Sequence, residues 1–217
     1  RKHQNYLHQQ INKHRWSVLV CHRRFGKTVC MINHLIKSAL MCKHKNPRFA
    51  YIAPTFKQAK SIAWDYMKQF TAKIPATRFN ETELRVDFPN GARITLLGAE
   101  NSDGLRGIYL DGCVIDEYAN IEGKLFAEII RPALSDRKGY CVFIGTPAGM
   151  NNNFYDLYQH ANGADDWFNY KAKASDTKIV DPEELEKARE VMGEKKYLQE
   201  FECDWIANIE GAIFGDE

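Results

Sequence analysis

Two groups of residues in this 217-residue chain could do chemistry on a phosphate. The first is HRRFGKT, residues 22–28. Gly26, Lys27 and Thr28 match the end of the phosphate-binding pattern G-x-x-x-x-G-K-[ST], while Cys21 stands where the first glycine would be. His22, Arg23, Arg24 and Phe25 fill the loop between them. In such a loop, backbone N–H groups and a helix N-terminus converge on phosphates. Lys27 then adds a point charge at the β- and γ-phosphates, and the Thr28 hydroxyl is a ligand for Mg²⁺. The second group is CVIDE, residues 113–117, an apolar run that ends in two carboxylates. Asp116 would hold Mg²⁺ through water, and Glu117, adjacent and pointing the other way, can polarise an attacking water. Either group alone is weak, because lysine also sits in ordinary turns and carboxylates at solvated strand ends. Spaced about 90 residues apart and each set on a strand, they point to hydrolysis of a nucleoside triphosphate.

The elements that must position these residues alternate. WSVLVC (16–21) is an apolar run suited to a buried strand that enters the loop. From Lys27, apolar residues at Met31, Ile32, Leu35, Ile36, Ala39 and Leu40 form one stripe of an amphipathic helix. RFAYIAP (48–54) reads as a strand stopped by Pro54, and residues 55–73 read as one helix with Thr55 as its N-cap. Residues 83–98 hold two strand-like arms around Asn90-Gly91, a hairpin signal and an antiparallel insertion. Residues 111–117, 140–147 and 167–175 read as strands, with a helix near 151–162. A last helical stretch, 181–204, opens at Asp181-Pro182. Buried strands separated by helices predict an α/β fold with a mostly parallel sheet flanked by helices. The domain reading is a core over 1–178 and a small C-terminal helical lid or linker over 179–217.

Composition is that of a soluble globular protein, 44% hydrophobic and 27% charged. No apolar run nears the ~20 residues that span a bilayer, and the N-terminus lacks the apolar core of a signal peptide. The six cysteines form no C-x-x-C pair and read as reduced core thiols, with no zinc site expected. The net charge of +2 hides an asymmetry. Residues 1–64 carry thirteen Lys or Arg and no acid, whereas residues 181–217 carry twelve acids and four bases. A basic front end suits phosphates of a nucleotide or of nucleic acid, and the acidic tail can also complement it within the fold.

Taken together, HRRFGKT, GLRGIYLDGCVIDEYANI, IIRPALSDRKGYCVFIGTPAGMNNNFYDLY and YLQEFECDW with GAIFGDE resemble the large subunit of tailed-phage terminases over nearly the whole chain. The resemblance implies a P-loop NTPase fold of the ASCE type and an ATPase that moves double-stranded DNA into a procapsid. It implies ATP and Mg²⁺, a homo-oligomeric ring on the portal protein, a terminase small subunit as partner, and a place in the host cytoplasm at the procapsid vertex. In that family the loop often lacks its first glycine and carries arginine, so Arg24, then Arg23, is expected on phosphate oxygens. Gln4 lies where the family reads adenine, with Gln9 and Gln10 as competitors. Arg106, eleven residues before Glu117, lies where the family carries an arginine directed at a neighbouring subunit's γ-phosphate. Gly145, Thr146 and Pro147 match its coupling motif. Family members usually continue into a nuclease domain, and residues 1–217 are expected to be the ATPase half, without nuclease activity. A helicase- or recombinase-like DNA-dependent ATPase and a non-hydrolysing nucleotide-binding module are the rival readings.

Overall fold

The computed structural model describes residues 2–206. The final stretch GAIFGDE, and with it the end of the expected lid, lies outside the described residues. Among the described residues, eight strands form one sheet in the order β3-β4-β5-β2-β6-β7-β1-β8. In chain order these are β1 (Trp16–Cys21), β2 (Arg48–Ala53), β3 (Arg78–Asn80), β4 (Arg85–Asp87), β5 (Arg93–Gly98), β6 (Gly112–Ile115), β7 (Tyr140–Gly145) and β8 (Trp167–Ala172). The six strands from β5 to β8 run parallel, and β3 and β4 extend the β5 edge antiparallel. Every residue of β1 and of β6 is buried, which explains why apolar residues dominate both, with Ser17 the one polar side chain: a strand covered on both faces needs no polar side.

One face of the sheet carries α1 (Lys2–Ile11) and α2 (Lys27–Met41), then α3 (Phe56–Ala59) and α4 (Asp65–Thr71). The other carries α5 (Arg131–Ala133) and α6 (Asn153–Asn162). The stripe expected on α2 is buried from Met31 to Ala39, but Leu40 is exposed in the last turn beside Met41. The segment read as one helix over 55–73 is helical throughout 56–71, but Lys60–Trp64 is a π-helical turn between α3 and α4. Thr55 caps it as expected, its side chain accepting from the Gln58 N–H. The hairpin closes at Gly91, whose φ of 83° favours glycine. Only its first arm is an addition, because the second arm, β5, pairs parallel with β2 inside the main sheet.

The C-terminal stretch is α7 (Ala174–Thr177), α8 (Pro182–Met192) and α9 (Glu194–Phe201). Gly193, at φ 77° and ψ 158°, breaks what periodicity alone reads as one helix. Ala174, Tyr197 and Phe201 form its own small apolar cluster. Five of the six free cysteines are buried. Among the described residues, no helix is long and apolar enough to cross a membrane.

Candidate nucleotide site

The strand order decides what meets what. β7 lies between β1 and β6. The carboxyl ends of these three parallel strands therefore bring the 22–28 loop, Thr146 and the Asp116-Glu117 pair to one edge. A cavity of about 460 Å³ opens there, lined by residues 23–29 of the loop together with Glu117, Thr146 and Glu200. Ile62 and Tyr66, from the π-helical turn and α4, close another side of it.

The loop is shaped by two left-handed residues, Arg24 at φ 71° and Gly26 at φ 89°. Gly26 is also the N-cap of α2, so the helix starts at Lys27, in the wall of the cavity. The Lys27 ammonium donates to the Cys21 carbonyl at 3.0 Å. Arg24 is exposed at the cavity rim. Arg23 donates its backbone N–H to the Glu200 carbonyl (2.8 Å), and its guanidinium lies 3.9 Å from the Glu200 carboxylate. Cys21 and His22 do not face the cavity. Cys21 is buried in the core, and burial pushes its thiol well above the usual range. The His22 ring spans Thr177 Oγ1 (2.8 Å) and the Arg23 carbonyl (2.6 Å). Burial pulls the His22 ring below its usual value, and its two hydrogen bonds tie the loop to α7. Phe25 is buried against His22 and Tyr170.

Asp116 follows β6 and is buried. Its carboxylate accepts from the Tyr51 hydroxyl, from Thr28 Oγ1 at 3.4 Å and from the Glu117 N–H at 2.8 Å. Burial raises its carboxyl, while the Tyr51 hydrogen bond and the Lys27 ammonium act the other way. The Thr28 hydroxyl and Asp116 carboxylate thus meet as hard oxygen donors, the ligand chemistry that suits Mg²⁺. Glu117 adopts φ 49° and ψ 47°, and this left-handed residue turns its side chain off the strand into the cavity. Burial, then the neighbouring Asp116 charge, raises its carboxyl, which makes it a stronger proton acceptor than a solvated glutamate.

The remaining predicted residues fall around this centre. Gln4, on α1, donates to the Gly26 carbonyl at 3.4 Å, so it stands beside the loop. Gly145 ends β7 in register with Val20 of β1. Thr146 lines the cavity, and the Pro147 carbonyl accepts from Gln199 Nε2 of α9 at 2.6 Å. Arg106 does not join them. It is exposed and lines a separate cavity of about 470 Å³ with Pro54, Glu100, Asn120, Glu122 and Glu128.

Sequence reasoning missed Tyr51, Tyr66, Gln199, Glu200 and the helix that carries Gln4. Tyr51 had one signal: a hydroxyl in the middle of an otherwise apolar buried strand must find a partner. Nothing local marked the others, since their relevance arises only where α1, α4 and α9 fold against the loop.

Residues 20–217 match the family described as terminase large subunit, T4likevirus-type, N-terminal. The large terminase subunit of Thermus virus P23-45 is 32% identical over 126 residues, 49% of this chain and 26% of that protein. The chain thus spans about a quarter of that curated relative. Among solved structures, the large terminase ATPase domain of Thermus phage P74-26 matches with a TM-score of 0.76 at 22% identity, covering 92% of each chain. The large terminase of another thermophilic bacteriophage, in complex with ATP-gamma-S, matches at 0.79 and 15% identity, covering 94% of this chain and 52% of that one. At these identities the structural likenesses establish the fold alone, a mostly parallel sheet flanked by helices. With the family match over nearly all of its length, the chain belongs to the terminase large-subunit family, in that family's N-terminal region.

Proposed function

We propose that this chain binds and hydrolyses ATP with Mg²⁺, and that in its phage hydrolysis drives double-stranded DNA into a procapsid. What supports the reading is the convergence of Lys27, Thr28, Asp116, Glu117 and Thr146 at one sheet edge, four of them lining one cavity and Asp116 reaching Thr28 just beneath it. Lys27 and Arg24 would bear on the phosphate charge. Thr28 and Asp116 would hold the Mg²⁺, which when bound supplies charge neutralisation at the phosphates. Glu117 would take a proton from the attacking water as its oxygen bonds to the γ-phosphorus, and ADP would leave with the electrons of the broken P–O bond. Thr146 would report loss of the γ-phosphate to α9 through the Pro147–Gln199 hydrogen bond. Arg23–Glu200 gives the loop a second tie to the same helix.

DNA, the portal protein, a terminase small subunit and further copies of the chain in a ring are the partners this role requires, in the host cytoplasm at the procapsid vertex. Contacts to DNA would be mainly to phosphates and therefore salt-sensitive. Lys57 and Lys60 are exposed, while Lys68 lies within ion-pair distance of Asp65 and Glu81. Steady-state phosphate release, measured with and without duplex DNA and portal, tests the function. Turnover stimulated by both is expected. Strand separation driven by the chain would favour a helicase instead, and nucleotide binding without turnover a non-hydrolysing module.

Gln4 would read adenine, its amide donating to N7 and accepting from the N6 amino group. Gln4→Ala is expected to weaken ATP binding by roughly 1–3 kcal/mol and to narrow its preference over GTP. Competition binding with the two nucleotides measures both. Unchanged affinity and preference would pass the role to Gln9, Gln10 or backbone groups.

A further inference from the structure

We propose a second metal site, for zinc, at the opposite end of the sheet from the phosphate loop, formed by Cys42, His44 and Asp111. The three residues come from separate places in the chain. Cys42 is the C-cap of α2, His44 lies in the connection from α2 to β2, and Asp111 immediately precedes β6. Their ligand atoms, a sulfur, an imidazole nitrogen and a carboxylate oxygen, all lie within 4.8 Å of one another. Asp111 and Asp116 flank the same strand, five residues apart, so the two sites are separated by roughly 16 Å of extended chain. The proposed site is independent of the nucleotide chemistry.

The mixed sulfur, nitrogen and oxygen donor set suits zinc and disfavours Mg²⁺, which takes oxygen ligands. The Asp111 carboxylate is already oriented for a ligand's task. Its Oδ2 accepts from the Arg48 backbone N–H at 2.8 Å, leaving Oδ1 turned toward His44 Nδ1 at 2.5 Å. A backbone hydrogen bond on the second oxygen is the kind of outer support that fixes a ligating carboxylate. Asp111 is itself buried, with 3% of its side chain exposed, and a buried carboxylate needs a strong positive partner. The His44 side chain is half exposed, so it can swing to admit an ion bonded at about 2.0–2.3 Å to each ligand. Its exposure also leaves room for water in a fourth tetrahedral position. Zinc binding would displace the thiol proton of Cys42 to solvent. The thiolate and the carboxylate would then balance the ion's two charges. The ion would tie the end of α2 to the start of β6, two elements on which the loop and Asp116 are mounted.

Cobalt titration of the reduced chain, with Mg²⁺ in excess to fill oxygen sites, tests the proposal. The wild-type chain is expected to bind one Co²⁺ with a thiolate-to-cobalt charge-transfer band that Zn²⁺ abolishes. Cys42→Ser should lose that band, and its Zn²⁺ affinity should fall by more than the roughly 10–100-fold that losing an outer-sphere partner costs. His44→Ala should keep the charge-transfer band at higher cobalt concentration. Circular dichroism without metal establishes that each variant is folded. No thiolate band in the wild-type chain, or a band that survives Cys42→Ser, overturns the site and leaves His44–Asp111 as a simple hydrogen bond.

Discussion

Glu117→Gln is expected to bind ATP with near wild-type affinity while turnover falls by ~10²-fold or more. The substitution keeps size and shape and removes only the capacity to accept a proton. Glu117 lines the cavity wall, whereas Lys27 and Thr28 hold their own places at the start of α2. The left-handed backbone at Glu117 is compatible with glutamine, so the turn that aims the side chain is retained. Asp116 keeps its donors from Tyr51, Thr28 and the residue-117 N–H. A single-turnover experiment beside equilibrium nucleotide binding separates the two effects. Wild-type turnover in this variant would remove Glu117 from the role of base.

Arg106→Ala is expected to abolish the assembly-dependent rate, a loss of ~10³–10⁵ where an arginine is supplied from a neighbour, with monomer ATP binding nearly unchanged. The motivating observation is position. Arg106 is exposed, lines a cavity distinct from the one that holds Glu117 and Thr146, and precedes Gly107, which adopts φ 80°. A side chain so placed lies outside its own nucleotide cavity, and we propose that it acts on the site of an adjacent subunit. Hydrolysis would then wait on a correctly seated neighbour. A mixing experiment discriminates the two directions of action. Arg106→Ala subunits and Glu117→Gln subunits, each inactive alone, should partly restore turnover together, because some interfaces pair an intact Glu117 with a neighbour's intact Arg106. If both variants co-assemble with wild type and the mixture stays inactive, the trans role fails. Arg24, at φ 71° on the rim of the loop, becomes the better candidate for the catalytic arginine.

Much of the scaffold was legible because burial on both faces writes itself into composition. WSVLVC, GCVI and YCVFIG are mostly apolar without alternation, and each is a strand in the parallel part of the sheet. Gly26-Lys27-Thr28 marked the start of α2, and the stripe from Met31 to Ala39 marked its buried face. Thr55 and Asp181-Pro182 announced helix starts through local hydrogen bonding, which needs only a few neighbouring residues. The π-helical turn at Lys60–Trp64 and the break at Gly193 were missed, because hydrophobic spacing tolerates both.

Tertiary structure decided everything that depends on which strand lies beside which. Thr28 and Asp116 are 88 residues apart, and no local rule states that their side chains meet at 3.4 Å. Placing β7 between β1 and β6 does so, and it brings Thr146 to the same cavity. Cys21 and His22 show the converse: spacing put them in the loop, but packing turns one into the core and the other against Thr177. The meeting of Cys42 and His44 with Asp111 was invisible for the same reason. Only the pairing of β2 with β6 carries the entry to one strand alongside the entry to the other. Residue types and local periodicity determined which elements form and which side chains could do chemistry. Long-range pairing, which a sequence encodes only through the sum of its packing, decided which of those side chains share a site.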